Sequence, residues 1–142
     1  MRGFVKKITG SVPSRVVLQN QETKVLKLRD IIQVVDGNIL TQQSDLNLEI
    51  QHAAACDLMS DVLAFSKPYA LLLTGLTNIH VIRTAEMADI AAIILVRNKL
   101  PKADVISLAD EKGIPLISSP CTMFDLCGRL YEAGLRGCEI AG

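Results

Sequence analysis

The sequence predicts an α/β fold, a single domain with a mostly parallel sheet covered by helices on both faces. Three observations carry this. Short runs that are apolar throughout recur along the chain, as at Ala70–Leu73 and Ala91–Val96. Segments of about ten residues with helical spacing separate them. Apolar residues make up 49% of the 142 residues and aromatics only 4%, so Ala, Ile, Leu and Val must fill the core. Strands apolar at every position, alternating with helices, are buried on both sides, as in a parallel sheet.

The elements follow in order. Leu28, Ile31, Ile32 and Val35 recur at helical spacing, which predicts a helix over 27–36 with Gly37 as its stop. A short strand is expected at 38–41 and a turn at 42–45. Leu46, Leu48 and Ile50 alternate with polar residues, as in an edge strand. Ala53–Cys56 continues as a strand of small residues or a tight connection. A helix is expected over 57–65, with Asp57 as its N-cap. The strand 70–73, the helix 78–87, the strand 91–96, the helix 102–112 ending at Gly113, the strand 114–117 and the helix 122–133 ending at Gly134 complete the pattern. The globular domain is expected at 24–142, behind a basic N-terminal extension at 1–23 of the kind that is often disordered. Arg2, Lys6, Lys7 and Arg15 lie in residues 1–21 without an acid, leaving a net charge of −4 on the remainder and zero overall.

A neutral chain argues against a dedicated nucleic-acid binder. No apolar run reaches the roughly 18–20 residues of a membrane span, and the expectation is a cytoplasmic protein with no membrane partner. Cys56, Cys121, Cys127 and Cys138 form no Cys-x-x-Cys pair, and His52 and His80 are isolated. Buried thiols in a reducing compartment account for them better than a metal site. No Walker loop, Gly-x-Gly-x-x-Gly, Gly-x-Ser-x-Gly or His-Glu-x-x-His occurs. No catalytic residue, metal ligand or cofactor is assigned, and the balance leans away from an enzyme.

In an open parallel sheet, ligands bind at the carboxyl ends of the strands. Those ends supply Asp57, the turn Thr74-Gly75-Leu76-Thr77-Asn78, Arg97-Asn98-Lys99, and Ser118-Ser119-Pro120-Cys121-Thr122. The candidate ligand-binding residues are Asp57, Thr74, Gly75, Thr77, Asn78, Arg97, Ser118, Ser119 and Thr122. Hydroxyls and amides at helix starts suit a phosphate or carboxylate, and Arg97 and Lys99 add positive charge. Asp57 would repel an anion unless a metal or a ribose hydroxyl intervened. Each residue also has a structural reading: Thr77, Asn78, Ser119 and Thr122 as helix caps, and Gly75 as a tight turn. Asp57 and Asp61, four apart, fit either a cation pair or a solvated acidic first turn.

The stretches "ACDLMSDVLAF", "ALLLTGLTNIHVIRTAEMADIAAIILVRNKLP" and "VISLADEKGIPLISSPCTMFDLCGRLYEAG" resemble the DRTGG domain family over residues 45–136. More closely, the chain resembles the small stand-alone members of the family. The resemblance implies a fold similar to the N-terminal, non-catalytic domain of HPr serine kinase. It also implies a regulatory or assembly role, since the domain accompanies CBS pairs in larger proteins. Thr74-Gly75 fits the family pattern, whereas Leu76-Thr77 stands where Asp-Arg is expected and Arg97-Asn98 where the later Gly-Gly turn is expected. A kinase activity does not follow, because the chain has no phosphate loop for ATP.

Two functional readings remain. One is a non-enzymatic regulatory or interaction module, a homodimer or higher homo-oligomer with a protein partner, sensing a small ligand. The other is a protein or enzyme that binds a nucleotide or another phosphorylated, anionic small ligand along the strand carboxyl edge.

Overall fold

The computed structural model describes residues 23–138. The basic extension expected at 1–23 lies outside them, residue 23 apart. Five helices and eight strands follow one another: β1 (Leu26–Lys27), α1 (Leu28–Val34), β2 (Asn38–Ile39), β3 (Glu49–Ile50), β4 (His52–Ala55), α2 (Met59–Phe65), β5 (Leu71–Thr74), α3 (Ile79–Met87), β6 (Ala92–Leu95), α4 (Ala103–Glu111), β7 (Leu116–Ser118), α5 (Met123–Ala133) and β8 (Arg136–Gly137).

Six strands form one sheet in the order β2-β7-β6-β5-β4-β8. All neighbours run parallel except β2, which lies antiparallel along β7. β1 and β3 make a separate antiparallel pair. The chain steps from β4 through β5 and β6 to β7, then returns through α5 to β8 on the far side of β4. Each strand connection of this kind needs a crossover, and the helices provide it.

Side chains alternate across the sheet and divide the core in two. Leu71, Leu73, Ala92, Ile94 and Ile117 face α1 and α5, meeting Leu28, Ile31, Leu126 and Leu130. Leu72, Ile93, Leu95 and Leu116 face α2, α3 and α4, meeting Val62, Val81, Ile82, Ala85, Val105 and Ala109. Both faces of the sheet are thus covered, as the continuous apolar runs require.

Several expectations need correction. The strand expected at 114–117 spans Leu116–Ser118, and the one at 38–41 shortens to Asn38–Ile39. The helix expected from residue 57 begins at Met59, and its N-cap is Leu58, which makes no side-chain cap bond. Asp57 is therefore not a cap, and Asp57 and Asp61 do not share a helix. The edge strand expected across 46–50 shortens to Glu49–Ile50, because Leu46 and Leu48 offer their carbonyls to the amides of Arg29 and Leu28 instead. Gly37 follows α1 as expected, but for lack of room: a Cβ there would lie 2.7 Å from Ile117 Cγ2, while Asp36 takes the left-handed backbone at φ 52°.

Candidate functional site

Helices α2, α3 and α4 follow β4, β5 and β6 onto one face, and α5 follows β7 onto the other. The chain leaves β6 and β7 in opposite directions. The gap between their carboxyl ends is the topological switch point of the sheet, where open α/β sheets hold ligands. A cavity of about 420 Å3 lies there, lined from four successive strand ends: Asp57 after β4, Gly75 after β5, Val96, Arg97 and Lys99 after β6, and Thr122, Met123 and Phe124 after β7.

Asp57, itself exposed, is held by its neighbour strand. Its Oδ1 accepts from the Thr74 hydroxyl at 2.7 Å and from the Gly75 amide at 2.8 Å. Thr74 is fully buried, and its oxygen also accepts from the Leu76 amide at 3.2 Å. The Gly75 amide first, then the Thr74 hydroxyl, hold the Asp57 carboxyl below its ordinary range; partial burial opposes them, and Lys99 and Arg97 add to the lowering. Lys99 Nζ donates to the Gly75 carbonyl at 2.7 Å. A carboxylate and an ammonium are thereby anchored on either side of one glycine.

Arg97 and Asn98 both adopt left-handed backbone, at φ 55° and 54°. The turn is closed by the Lys99 amide on the Val96 carbonyl at 3.2 Å. This geometry sends the Arg97 amide to Cys121 O at 2.9 Å and the Asn98 amide to Ser119 O at 2.8 Å. The Ser118 hydroxyl donates to Lys99 O at 3.0 Å. The loops after β6 and β7 are thus stitched together. Two consecutive non-glycine residues at positive φ are costly, which is the physical counterpart of Arg97-Asn98 standing at an expected Gly-Gly turn. The Arg97 side chain is exposed, lines the cavity, and makes no hydrogen bond among the described residues.

The nine residues singled out from sequence separate into two groups. Asp57, Gly75, Arg97 and Thr122 line the cavity. The other five do not. Thr74 orients Asp57. Asn78 Oδ1 accepts from the His80 amide at 3.0 Å as the N-cap of α3. Thr77 is half-buried in the turn between β5 and α3. The Ser118 hydroxyl is used by Lys99 O. Ser119 is fully buried; its hydroxyl donates to Val35 O at 2.6 Å and accepts from the Cys121 amide at 3.1 Å, tying the β7–α5 loop to the end of α1. Thr122 does both jobs, since its hydroxyl accepts from the Asp125 amide at 3.3 Å as the N-cap of α5.

Met123 and Phe124 were not anticipated. Phe124 lies two residues before buried Leu126, on the polar side of an amphipathic helix, and is 86% exposed. An aromatic on that side is the signal that sequence offered. Among the described residues no group of three His, Cys, Asp or Glu side chains is placed to hold a metal. The four cysteines are free thiols; Cys121 is buried, and burial pushes the half-buried Cys127 thiol up. No helix among the described residues is long and apolar enough to cross a membrane.

The fold has a solved counterpart. The crystal structure of the CBS and DRTGG domains of the regulatory region of Clostridium perfringens pyrophosphatase, complexed with its activator diadenosine tetraphosphate, superposes with a TM-score of 0.64 at 12% sequence identity. The match covers 77% of this chain and 47% of that one, so this chain spans about half of that regulatory region. No curated protein matches the sequence. The DRTGG domain model matches residues 30–133, well over half of the 142-residue chain, and the chain belongs to the DRTGG domain family.

Proposed function

We propose that this chain is a non-catalytic regulatory module that binds a small anionic ligand at the carboxyl edge of its sheet. One observation carries the reading. A strained Arg97, its side chain without a hydrogen bond among the described residues, stands with Lys99 and the start of α5 around a cavity at the switch point of the sheet. Positive side chains and a helix N-terminus facing one cavity favour an anion. The presence of a DRTGG domain in a regulatory region that takes a nucleotide activator supports the same direction.

The output of such a module is a protein contact, and we propose a homodimer. Leu58 at the N-cap of α2 and Phe65 at its last residue, 59% and 49% exposed, are apolar side chains open to such a contact. A thermal-shift panel of nucleotides, sugar phosphates, inorganic phosphate and divalent metals tests the binding reading, with solution mass recorded in parallel. A ligand at 100 times its Kd adds about 2.7 kcal/mol to stability. A shift produced by phosphorylated compounds and absent in R97G supports the reading; a flat panel, or a shift that survives R97G, overturns it. A monomer mass at micromolar concentration overturns the dimer.

A further inference from the structure

Given an anion site at the carboxyl edge, the surroundings of Gly75 narrow the ligand's chemistry. Two opposite charges converge on one empty point. A Cβ built on Gly75 would lie 3.5 Å from Lys99 Nζ and 3.6 Å from Asp57 Oδ2, both ordinary contact distances. Asp57 Oδ1 is already engaged by Thr74 and Gly75, which leaves Oδ2 for a ligand. Lys99 directs one N–H at the Gly75 carbonyl and keeps two.

Such a point discriminates by charge. An anion placed there gains from Lys99 and loses to Asp57; a cation does the reverse. A hydroxyl satisfies both, donating to the carboxylate and accepting from the ammonium. Elsewhere on the same cavity, Arg97 and the start of α5 offer positive potential with no competing hydrogen bond to the guanidinium among the described residues. The exposed ring of Phe124 borders that end.

We propose that the cavity takes a phosphorylated sugar, free or as part of a nucleotide, with a sugar hydroxyl over Gly75 between Asp57 and Lys99 and the phosphate at Arg97 and the start of α5. This rests on the anion-site reading above and goes beyond it in assigning the hydroxyl subsite. The volume of about 420 Å3 is large for phosphate alone, within the range of small-molecule sites. Phe124 decides between the two sources, because a base stacking on an aromatic ring adds about 1–3 kcal/mol, about 5- to 150-fold in affinity, beyond what the sugar phosphate gains.

The test is calorimetric titration of the full chain with inorganic phosphate, ribose 5-phosphate and AMP. Ribose 5-phosphate is expected to bind the wild type at least about tenfold more tightly than phosphate, the weight of one charged hydrogen bond. D57N and G75A are expected to remove that advantage, and D57N to strengthen phosphate binding because it removes the repelling carboxylate. The side-chain oxygen that D57N retains still accepts from Thr74 and Gly75, and the methyl that G75A adds meets no clash, so melting curves check that both variants fold. AMP tighter than ribose 5-phosphate, with the difference lost in F124A, assigns a nucleotide; equal affinities assign a free sugar phosphate. Equal binding of phosphate and ribose 5-phosphate, dependent on Arg97 and indifferent to D57N and G75A, overturns the sugar assignment and leaves the anion site standing. Absence of Arg97-dependent binding by all three overturns both.

Discussion

Replacing Arg97 by glycine pulls stability and binding in opposite directions. Arg97 sits at φ 55°, in the left-handed region, inside a turn whose neighbour Asn98 sits at φ 54°. A residue with a Cβ is held there at a cost of about 1–2 kcal/mol, whereas glycine adopts it freely. Glycine's extra freedom in the unfolded chain takes back about 0.5–1 kcal/mol. The Arg97 side chain makes no hydrogen bond among the described residues, so its removal offsets nothing further, and its amide still reaches Cys121 O. R97G is therefore expected to be more stable than the wild type by about 0.8 kcal/mol at the middle of these ranges, and by no more than about 1.5 kcal/mol. For a domain of this size that raises Tm by about 2–4 °C. Urea unfolding with a fixed slope reads the difference, and ligand titration on the same samples reads the loss of binding. A variant less stable than wild type by about 1 kcal/mol or more would show that Arg97 holds structure and is not kept for a ligand. A stabilised variant that binds phosphorylated compounds as tightly as wild type would remove Arg97 from the site.

Three further outcomes follow from the same geometry. G75A is expected to change stability by no more than about 0.5 kcal/mol, since its Cβ meets atoms only at 3.5 Å and beyond and the backbone is not left-handed; denaturant unfolding checks it, and a large loss would mean the turn is tighter than drawn. S119A leaves the Cys121 amide unpaired and the Val35 carbonyl with only the weak Cys121 thiol at 3.7 Å, so it should cost about 1–3 kcal/mol in unfolding experiments and leave ligand affinity unchanged. The Asp57 carboxyl is held below its ordinary value of 3.8, by the Gly75 amide foremost, so its stabilising contribution is fully present above that value and drains away as pH falls through the lower folded one. The stability difference between wild type and D57N should accordingly be constant from pH 5 to 8 and shrink only below about pH 3.8; a difference that changes near neutrality would mean that another group sets it.

Much of this architecture is legible in the residues alone, and the parts that are not have physical reasons. β6 is visible because Ala92–Leu95 is buried at every position, which only a doubly covered strand requires. α3, α4 and α5 are visible because each has a marked end: Asn78 caps the start of α3, Gly113 takes positive φ after α4, and Thr122 and Gly134 mark both ends of α5. β8 is invisible, because Arg136-Gly137 has no strand pattern and becomes a strand by lying beside His52-Ala53, more than eighty residues away. Partners 17 and 18 residues further along the chain hide the role of Asp57 as well. Before a helical pattern an Asp reads as a cap, yet its partners are Thr74 and Gly75 on the next strand. The edge location of the site follows from parallel strands, whereas its focus between β6 and β7 depends on which face each helix takes, and strand order alone reveals that. Ser119 illustrates the limit from the other side: a hydroxyl at a strand end suits a ligand, and only burial shows it engaged by Val35.

The most direct measurement is an amide NMR titration of the full chain with AMP. Binding at the carboxyl edge predicts saturable shifts concentrated at Gly75, Arg97, Lys99, Met123 and Phe124, and their loss in R97G. Shifts centred instead on the apolar crevice of about 280 Å3 between β4, β8 and α5, lined by Ala53, Leu130 and Tyr131, or no saturable shift at millimolar AMP, would contradict a ligand site at the carboxyl edge of the sheet.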